Sequence, residues 1–508
     1  MPVELGRRQV LYITLLLVVL ASFLCFYRVD ESLHPDSVLW YGGTQRFWKA
    51  LANRDFAHSN QYPHPGLTLM WITGLILKLR GTLDGFIDQG AVLALKAPGA
   101  IVGVLATALT FPLALACWGK QHWRAALVLA LLLLTDAGLL EQSRMAELDM
   151  PALGLAYLGI WVAILAYERD SWPAALGAGA LFGGSALSKL TFAAIPATLM
   201  LILIGTSVLT RFRDRRGLKV AALATVGALV TLFVFWPALW VSPIVTLESV
   251  LRETSRLAEK GHARWFEGRR VRDPGVLFYV LSLEALTPPE IVLLASLGLV
   301  GLYFVRPLRK HYLWIILSFV PYLVMLVLAP KKLTRYVAPA LPLLCILASA
   351  GIEWLMPRAR VWFKRAPFVP VALVSLLLVG RYVRDVRLLP ESEWCTQWPG
   401  SECDRPGDKH YMREMALEIG RDWEARGGQS RPVIYLRQTE LMSPWLRAKR
   451  AKTPRNADYI VIWDYEFSDP VAGTLDEAAQ RKLGQLGPEL MTVRRSGRLI
   501  ARVFRRAA

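Results

Sequence analysis

The sequence predicts a polytopic all-α membrane protein with a small α/β domain at its C-terminal end. Three observations lead there. Of the 508 residues 54% are hydrophobic and 19% charged, the mean hydropathy is +0.36, and the composition changes abruptly after Arg384. Uncharged runs of such length need a bilayer around them. The formal charge of +19 fits basic loops and anionic lipid rather than nucleic acid. The same figures exclude a disordered chain, a collagen-like fibre, a small disulfide scaffold and a single soluble domain.

The first element follows Arg7 and Arg8. The apolar run over 10–26 is long enough to span, and no small-x-small cleavage site follows it. It reads as an uncleaved first span with a cytoplasmic N-terminus. Further apolar stretches lie at 97–118, 125–140, 148–166, 173–187, 191–209, 220–240, 291–305, 312–329, 337–355 and 367–383, making eleven spans. The piece 67–79 is either a further span or an interfacial helix; with the soft boundaries of the shorter runs, the expectation is about 11–13 transmembrane helices.

Threading these spans alternately puts 119–124, 167–172, 211–219, 306–311 and 357–365 on the side of the N-terminus. Those loops hold the basic clusters, Arg211-Phe-Arg213-Asp-Arg215-Arg216 and Arg306-Pro-Leu-Arg309-Lys310 among them. The positive-inside rule makes that side cytoplasmic. The opposite side receives 29–65, 141–147, 188–189, 241–289, 330–335 and everything after Arg384. The expectation is a multi-pass protein of the cytoplasmic (inner) membrane with an extracytoplasmic tail.

The domains expected are 1–383, membrane-embedded, with external loops at 29–65 and 241–289, and the tail 384–508. In the tail Met412, Met415, Ala416, Ile419 and Trp423 repeat at helical spacing, while 432–436 and 457–463 read as strands. Thr474-Leu-Asp-Glu477 reads as a capping box opening a helix, and 493–504 around Ser496-Gly497 reads as a hairpin. Cys25, Cys117 and Cys345 lie in or beside apolar stretches and read as small buried hydrophobes. Cys395 and Cys403 share a polar loop that has no further Cys or His to complete a zinc set, which favours a disulfide over metal.

The unusual polar sequence collects on the external side. The first loop holds Asp30-Glu31, His34-Pro35-Asp36, Trp40 and His64-Pro65-Gly66, with an apolar stripe of Phe47, Ala50, Leu51 and Ala52 suited to a membrane surface. Carboxylates where a span emerges can take a proton from a hydroxyl or amine arriving from water, or they can simply be solvated. Arg144, Glu147 and Asp149 sit at a tight turn between spans and read either as a pocket or as a self-satisfied ion network. Lys189 reads either as a contact for a phosphate headgroup or as a snorkelling side chain; Lys96 reads as a snorkelling anchor. Trp236 and Trp240 read as interfacial-belt aromatics, and His262 and Arg264 as substrate contacts or solvated loop.

Taken in order, these motifs resemble a family. Asp36 precedes Trp40, Phe47, His64-Pro-Gly66 and Met70-Trp71; then come Ser143-Arg144, Glu147-Leu-Asp149, Ser188-Lys189, Trp236-Pro237, Gly261-His262, Asp273-Pro-Gly275 and Lys331-Lys332 with Arg335-Tyr336. The set resembles the bacterial branch of the protein O-mannosyltransferase-like (family 39) membrane glycosyltransferases and is similar also to the aminoarabinose transferase group. The resemblance covers residues 1 to about 383.

It implies a GT-C fold and an inverting glycosyltransferase that moves a sugar from a polyprenyl-phosphate donor to an extracytoplasmic protein hydroxyl, lipid or glycan. The alternative class is a transporter or flippase of lipid-linked sugars. The family's catalytic acid is the Asp of an Asp-Glu pair after the first span. Asp30-Glu31 keeps the pair, whereas Asp36 keeps the spacing to Trp40 and His64; spacing favours Asp36 as general base. His64, Lys189, Lys331, Lys332 and Arg335 are the candidates to bind the departing phosphate, with Arg144, Glu147, Asp149, His262 and Tyr336 completing the site. Cations then stabilise the leaving group, so no metal or other cofactor is expected. Donor, membrane lipid and acceptor are the expected partners, and nucleic acid is not.

Overall fold

The computed structural model describes residues 5–27, 29, 35–62, 64–261, 264–266, 269–271, 273–287, 289–304, 306–362, 411–428, 431–435, 446, 449–450, 457–463, 467–469, 474–475, 486–495 and 498–506. The expected eleventh span at 367–383, the pair Asp30-Glu31, His262 and both Cys395 and Cys403 lie outside the described residues.

The chain is a multi-pass bundle. Six described helices are long and apolar enough to cross a membrane. They are α1 (Arg7–Phe26), α4 (Gln89–Trp118), α7 (Asp149–Arg169), α9 (Ala194–Leu209, with the turn before it), α10 (Arg216–Phe235) and α15 (Arg306–Leu328). Between them lie α2 (Pro35–Ala52), α3 (Leu67–Leu79), α5 (Trp123–Thr135), α6 (Ala137–Arg144) and α8 (Trp172–Ser188). After α10 come α11 (Ala238–Val241), α12 (Pro243–Glu259), the hairpin of β1 (Arg264–Phe266) and β2 (Arg269–Val271), α13 (Phe278–Leu286), α14 (Pro289–Phe304) and α16 (Ala340–Trp362). Helix α7 is the centre of the bundle: 83% of its apolar window is buried, against 22% for α1. Close approach of α8 and α10 depends on glycine, since a Cβ at Gly179 would overlap the Ala224 carbonyl.

Several expectations need correction. The span read at 125–140 is two helices, α5 and α6, bent by 59°. Asp136 ends the first and caps the second by accepting the Leu139 N–H at 2.9 Å. The span read at 220–240 stops at Phe235, where Trp236-Pro237 ends the helical ladder. Of the two readings of 67–79, length favours the interfacial helix: the 13 residues of α3 reach about 20 Å, short of the ~30 Å hydrocarbon core. The stripe on α2 also faces protein rather than lipid, because Phe47 and Ala50 are buried, Phe47 in one cluster with Leu67, Met70 and Trp236. Trp236 is therefore core and not belt, whereas Trp240 is exposed and stacks edge-on to Phe56 at 5.0 Å. Lys96 does not snorkel; it is buried and donates to the Val29 carbonyl at 2.7 Å.

Ion pairs check the threading. Glu168 accepts from His311 at 2.9 Å and pairs with Lys310 at 2.7 Å. His122 meets Glu353 at 2.9 Å, and Lys219 donates to Asp170 at 2.8 Å. All of these lie at the bundle end that alternation gives to the N-terminus. At the other end Gly66 N–H reaches the Ser188 carbonyl and Lys331 N–H the Ala258 carbonyl, both at 3.2 Å.

The C-terminal part contains a mixed sheet. Its strands are β3 (Val433–Tyr435), β4 (Lys449–Arg450), β5 (Tyr459–Trp463), β8 (Leu486–Arg495) and β9 (Arg498–Arg506), in the order β4-β3-β5-β9-β8; β6 (Phe467–Asp469) and β7 (Thr474–Leu475) pair separately. Strands β8 and β9 are the antiparallel hairpin read around Ser496-Gly497. Thr474 opens no helix; Thr474 and Leu475 pair with β6 instead. Helix α17 (Tyr411–Ala425) buries Met415, Ala416 and Ile419, and its Asp422 accepts the Tyr459 hydroxyl at 2.8 Å. This part rests on the site end of the bundle, where Arg431 lies 5.5 Å from the centroid of the Phe86 ring.

Candidate active site

Local structure places the carboxylates. Pro35 and Asp36 open α2, and Asp149 opens α7. Proline fits the first helical position and an acid there meets the positive end of the helix dipole. Lys189 follows α8 directly, and Arg335 lies on the 3-10 turn Thr334–Val337 ahead of α16. The bundle brings these separate segments together at one end.

Arg335 is the hub. Its Nη1 donates to Asp36 Oδ2 at 3.1 Å and to Glu147 Oε1 at 2.5 Å, and its Nε lies 3.8 Å from Asp149 Oδ2. Lys189 Nζ donates to Asp149 Oδ1 at 2.7 Å and sits 4.1 Å from the centre of the Tyr336 ring. Exposure separates the carboxylates: the Asp36 side chain is 38% exposed, that of Glu147 3% and that of Asp149 5%. A substrate arriving from water thus reaches Asp36, while the two buried acids hold Arg335 and Lys189 in place. Buried charges survive only when paired and hydrogen-bonded in this way.

His64 reaches the same region through a tight fit. Trp40, one helical turn after Asp36, is buried against Gly66, where a Cβ would overlap the indole ring. Gly66 also has φ +60°, a conformation that favours glycine. The spacing from Asp36 through Trp40 to His64-Pro-Gly66 therefore has a geometric reason. Burial first, then the charges of Lys189 and Lys331, push the His64 imidazole down to about 3, against an opposing pull from Asp149. His64 is neutral at ordinary pH, so it can hydrogen-bond a phosphate but not neutralise one.

Other candidates go elsewhere. Arg144 Nη2 donates to the Tyr27 carbonyl at 2.9 Å, tying α6 to the end of α1. Lys332 is buried and donates to Asp273 Oδ1 at 3.0 Å and to the Ala329 carbonyl at 2.7 Å. The Gly275 N–H, then Lys332, hold the Asp273 carboxyl below its usual range. The sequence shows Asp273 only within an Asp-Pro-Gly motif; no local pattern announces a partner in Lys332, 59 residues away.

Comparison with known proteins places this geometry. A family model described as dolichyl-phosphate-mannose-protein mannosyltransferase matches residues 64–240. No curated protein sequence matches the chain. Among solved structures, ArnT from Cupriavidus metallidurans bound to undecaprenyl phosphate is similar with a TM-score of 0.51 at 15% identity, covering 96% of this chain and 97% of that one. Its apo form gives a TM-score of 0.54 with the same identity and coverage. The apo oligosaccharyltransferase of Archaeoglobus fulgidus gives 0.52 at 12% identity, covering 95% of this chain and 73% of that one. These agree with the resemblance carried by the ordered motifs: the chain has the fold of the GT-C membrane glycosyltransferases, and the mannosyltransferase match falls on segments that supply His64, Glu147, Asp149 and Lys189.

Proposed function

We propose that the chain is an inverting glycosyltransferase that moves a sugar from a polyprenyl-phosphate donor to an acceptor on the extracytoplasmic face of the inner membrane. The carrying observation is the Asp36–Arg335–Glu147 arrangement, which pairs one accessible carboxylate with a guanidinium held from behind by a buried one. In the step, Asp36 takes the proton of the acceptor hydroxyl as its oxygen bonds to the anomeric carbon. The bond from that carbon to phosphate breaks on the opposite side, and polyprenyl phosphate leaves with one more negative charge. Lys331 and neutral His64 receive the phosphate, and charge-assisted hydrogen bonds favour its departed state. The scheme draws leaving-group stabilisation from cations and calls on no metal or cofactor.

The C. metallidurans ArnT bound to undecaprenyl phosphate supports the donor class. A hexose and a pentose are equally compatible, and so are protein, lipid and glycan acceptors. The charges gather at span ends rather than at mid-membrane, which favours the enzyme over a flippase. Purified protein incubated with radiolabelled polyprenyl-phosphate sugars decides the reading. Release of polyprenyl phosphate by transfer or hydrolysis is expected; protein that moves the lipid across liposomes and consumes none overturns it.

A further inference from the structure

Lys331 and Lys332 are adjacent and equally charged, yet the fold gives them different surroundings. Lys332 is 1% exposed. Its ammonium lies between Asp273 Oδ1 at 3.0 Å and the Ala329 carbonyl at 2.7 Å. Asp273 uses the same oxygen to accept the Gly275 N–H at 2.9 Å, which shapes the Asp-Pro-Gly turn. An ammonium so enclosed has no room for a lipid phosphate without abandoning its carboxylate partner. Lys331 is only partly buried, and its ammonium makes no hydrogen bond or ion pair among the described residues. It stands four residues before Arg335, whose Nη1 donates to Asp36 Oδ2, so its partly exposed side chain belongs to the segment that borders the site; its charge also helps to lower the His64 imidazole.

The backbone adds a second tie. Lys331 N–H donates to the Ala258 carbonyl at 3.2 Å, at the end of α12. The segment between Ala258 and Asp273, with the hairpin β1/β2 inside it, is thus pinned at both ends to two consecutive residues. One residue, Leu333, then leads from Lys332 to the turn carrying Arg335. Whatever holds the hairpin base also fixes that segment against the turn that contacts Asp36.

We propose that the paired lysines divide the work: Lys332 is a positioning residue that latches the outer loop to the site through Asp273, and Lys331 is the cation that meets the donor's phosphate. The second half rests on the polyprenyl-phosphate reading above; the first half does not. The division also predicts that a chain with one lysine here keeps either the latch or the phosphate contact, never both.

The test uses the full chain in detergent, with undecaprenyl phosphate as the probe and limited trypsin digestion of 260–275 as the second readout. Lys331→Ala should weaken probe binding about 10-fold or more, the size of a lost charge-assisted contact, with cleavage unchanged. Asp273→Asn and Lys332→Met should leave probe affinity within about 2-fold and speed cleavage about 5-fold or more, since a local opening becomes easier. Asp273 is half-exposed, so its variant is expected to fold even if Lys332→Met does not. The double variant should be no worse than either single one, and Lys332→Arg should restore protection. Unchanged cleavage in Asp273→Asn overturns the latch. Probe binding lost in Lys332→Met but intact in Lys331→Ala reverses the assignment. A wild-type chain that ignores the probe removes the Lys331 half along with the donor reading, and the digestion still decides the Lys332 half.

Discussion

Asp36 Oδ2 lies 3.1 Å from Arg335 Nη1, joining the start of α2 to the turn before α16. The ion pair aims the carboxylate and keeps it at the accessible edge of a buried network. Asp36→Asn preserves size and can still hydrogen-bond but removes the basic oxygen. Transfer should fall roughly 10²–10⁴-fold, the range for loss of a general base, with thermal stability and donor binding nearly intact. Asp30→Asn should lose far less. A dead Asp30→Asn beside a normal Asp36→Asn would mean that the catalytic pair is Asp30-Glu31.

Arg335 is a harsher site to change. Its loss removes the guanidinium from Glu147 and weakens the surroundings of Asp149, both nearly inaccessible. Breaking a buried pair by removing one partner costs about 3–5 kcal/mol. Arg335→Ala should therefore lose stability together with transfer. Arg335→Lys keeps the charge but not the fork that spans two acids, so it should recover much of the stability and little of the rate. Thermal unfolding in detergent, read beside turnover, separates the two effects.

What the sequence made legible was local. Apolar runs and basic loops mark the spans and their alternation, and the ion pairs of Glu168, His122 and Lys219 agree with that threading. The Asp36–Trp40–His64 spacing was visible as a pattern, although its reason, the seat of Trp40 on Gly66, exists only in the fold. Lys96 misled because hydropathy starts that span at 97, whereas α4 begins at Gln89 with Asp88 as its cap. The lysine thus lies inside the helix and needs an internal acceptor. Arg335 and Asp36 are 299 residues apart, a separation no motif can bridge.

Orientation is testable with introduced cysteines. Asp55 and Arg213 are both exposed, at opposite ends of the bundle by the threading. In intact cells a membrane-impermeant maleimide that has crossed the outer layers should label Asp55→Cys and spare Arg213→Cys. Permeabilised cells should label both. The reverse pattern would place the Asp36–Arg335 site on the cytoplasmic side.

The last prediction follows from the neutral state of His64. Its folded value near 3 lies below the usual 6.5, so between those limits the unfolded chain binds a proton that the folded chain refuses. Stability contributed by the neutral ring is fully present above about pH 6.5 and is lost as pH falls toward 3. At pH 5 the loss from this group should be about 2 kcal/mol. His64→Gln cannot titrate, so its unfolding temperature should fall less than that of wild type between pH 7 and 4.5. Donor binding should show no acid limb from His64 between pH 5 and 8, because the ring is neutral throughout. Equal pH slopes in the two proteins would show that His64 is solvated rather than enclosed beside Lys189 and Lys331. In that case a protonated imidazole would be available to the phosphate, and the charge on the leaving group would be shared between His64 and Lys331 instead of resting on the lysine.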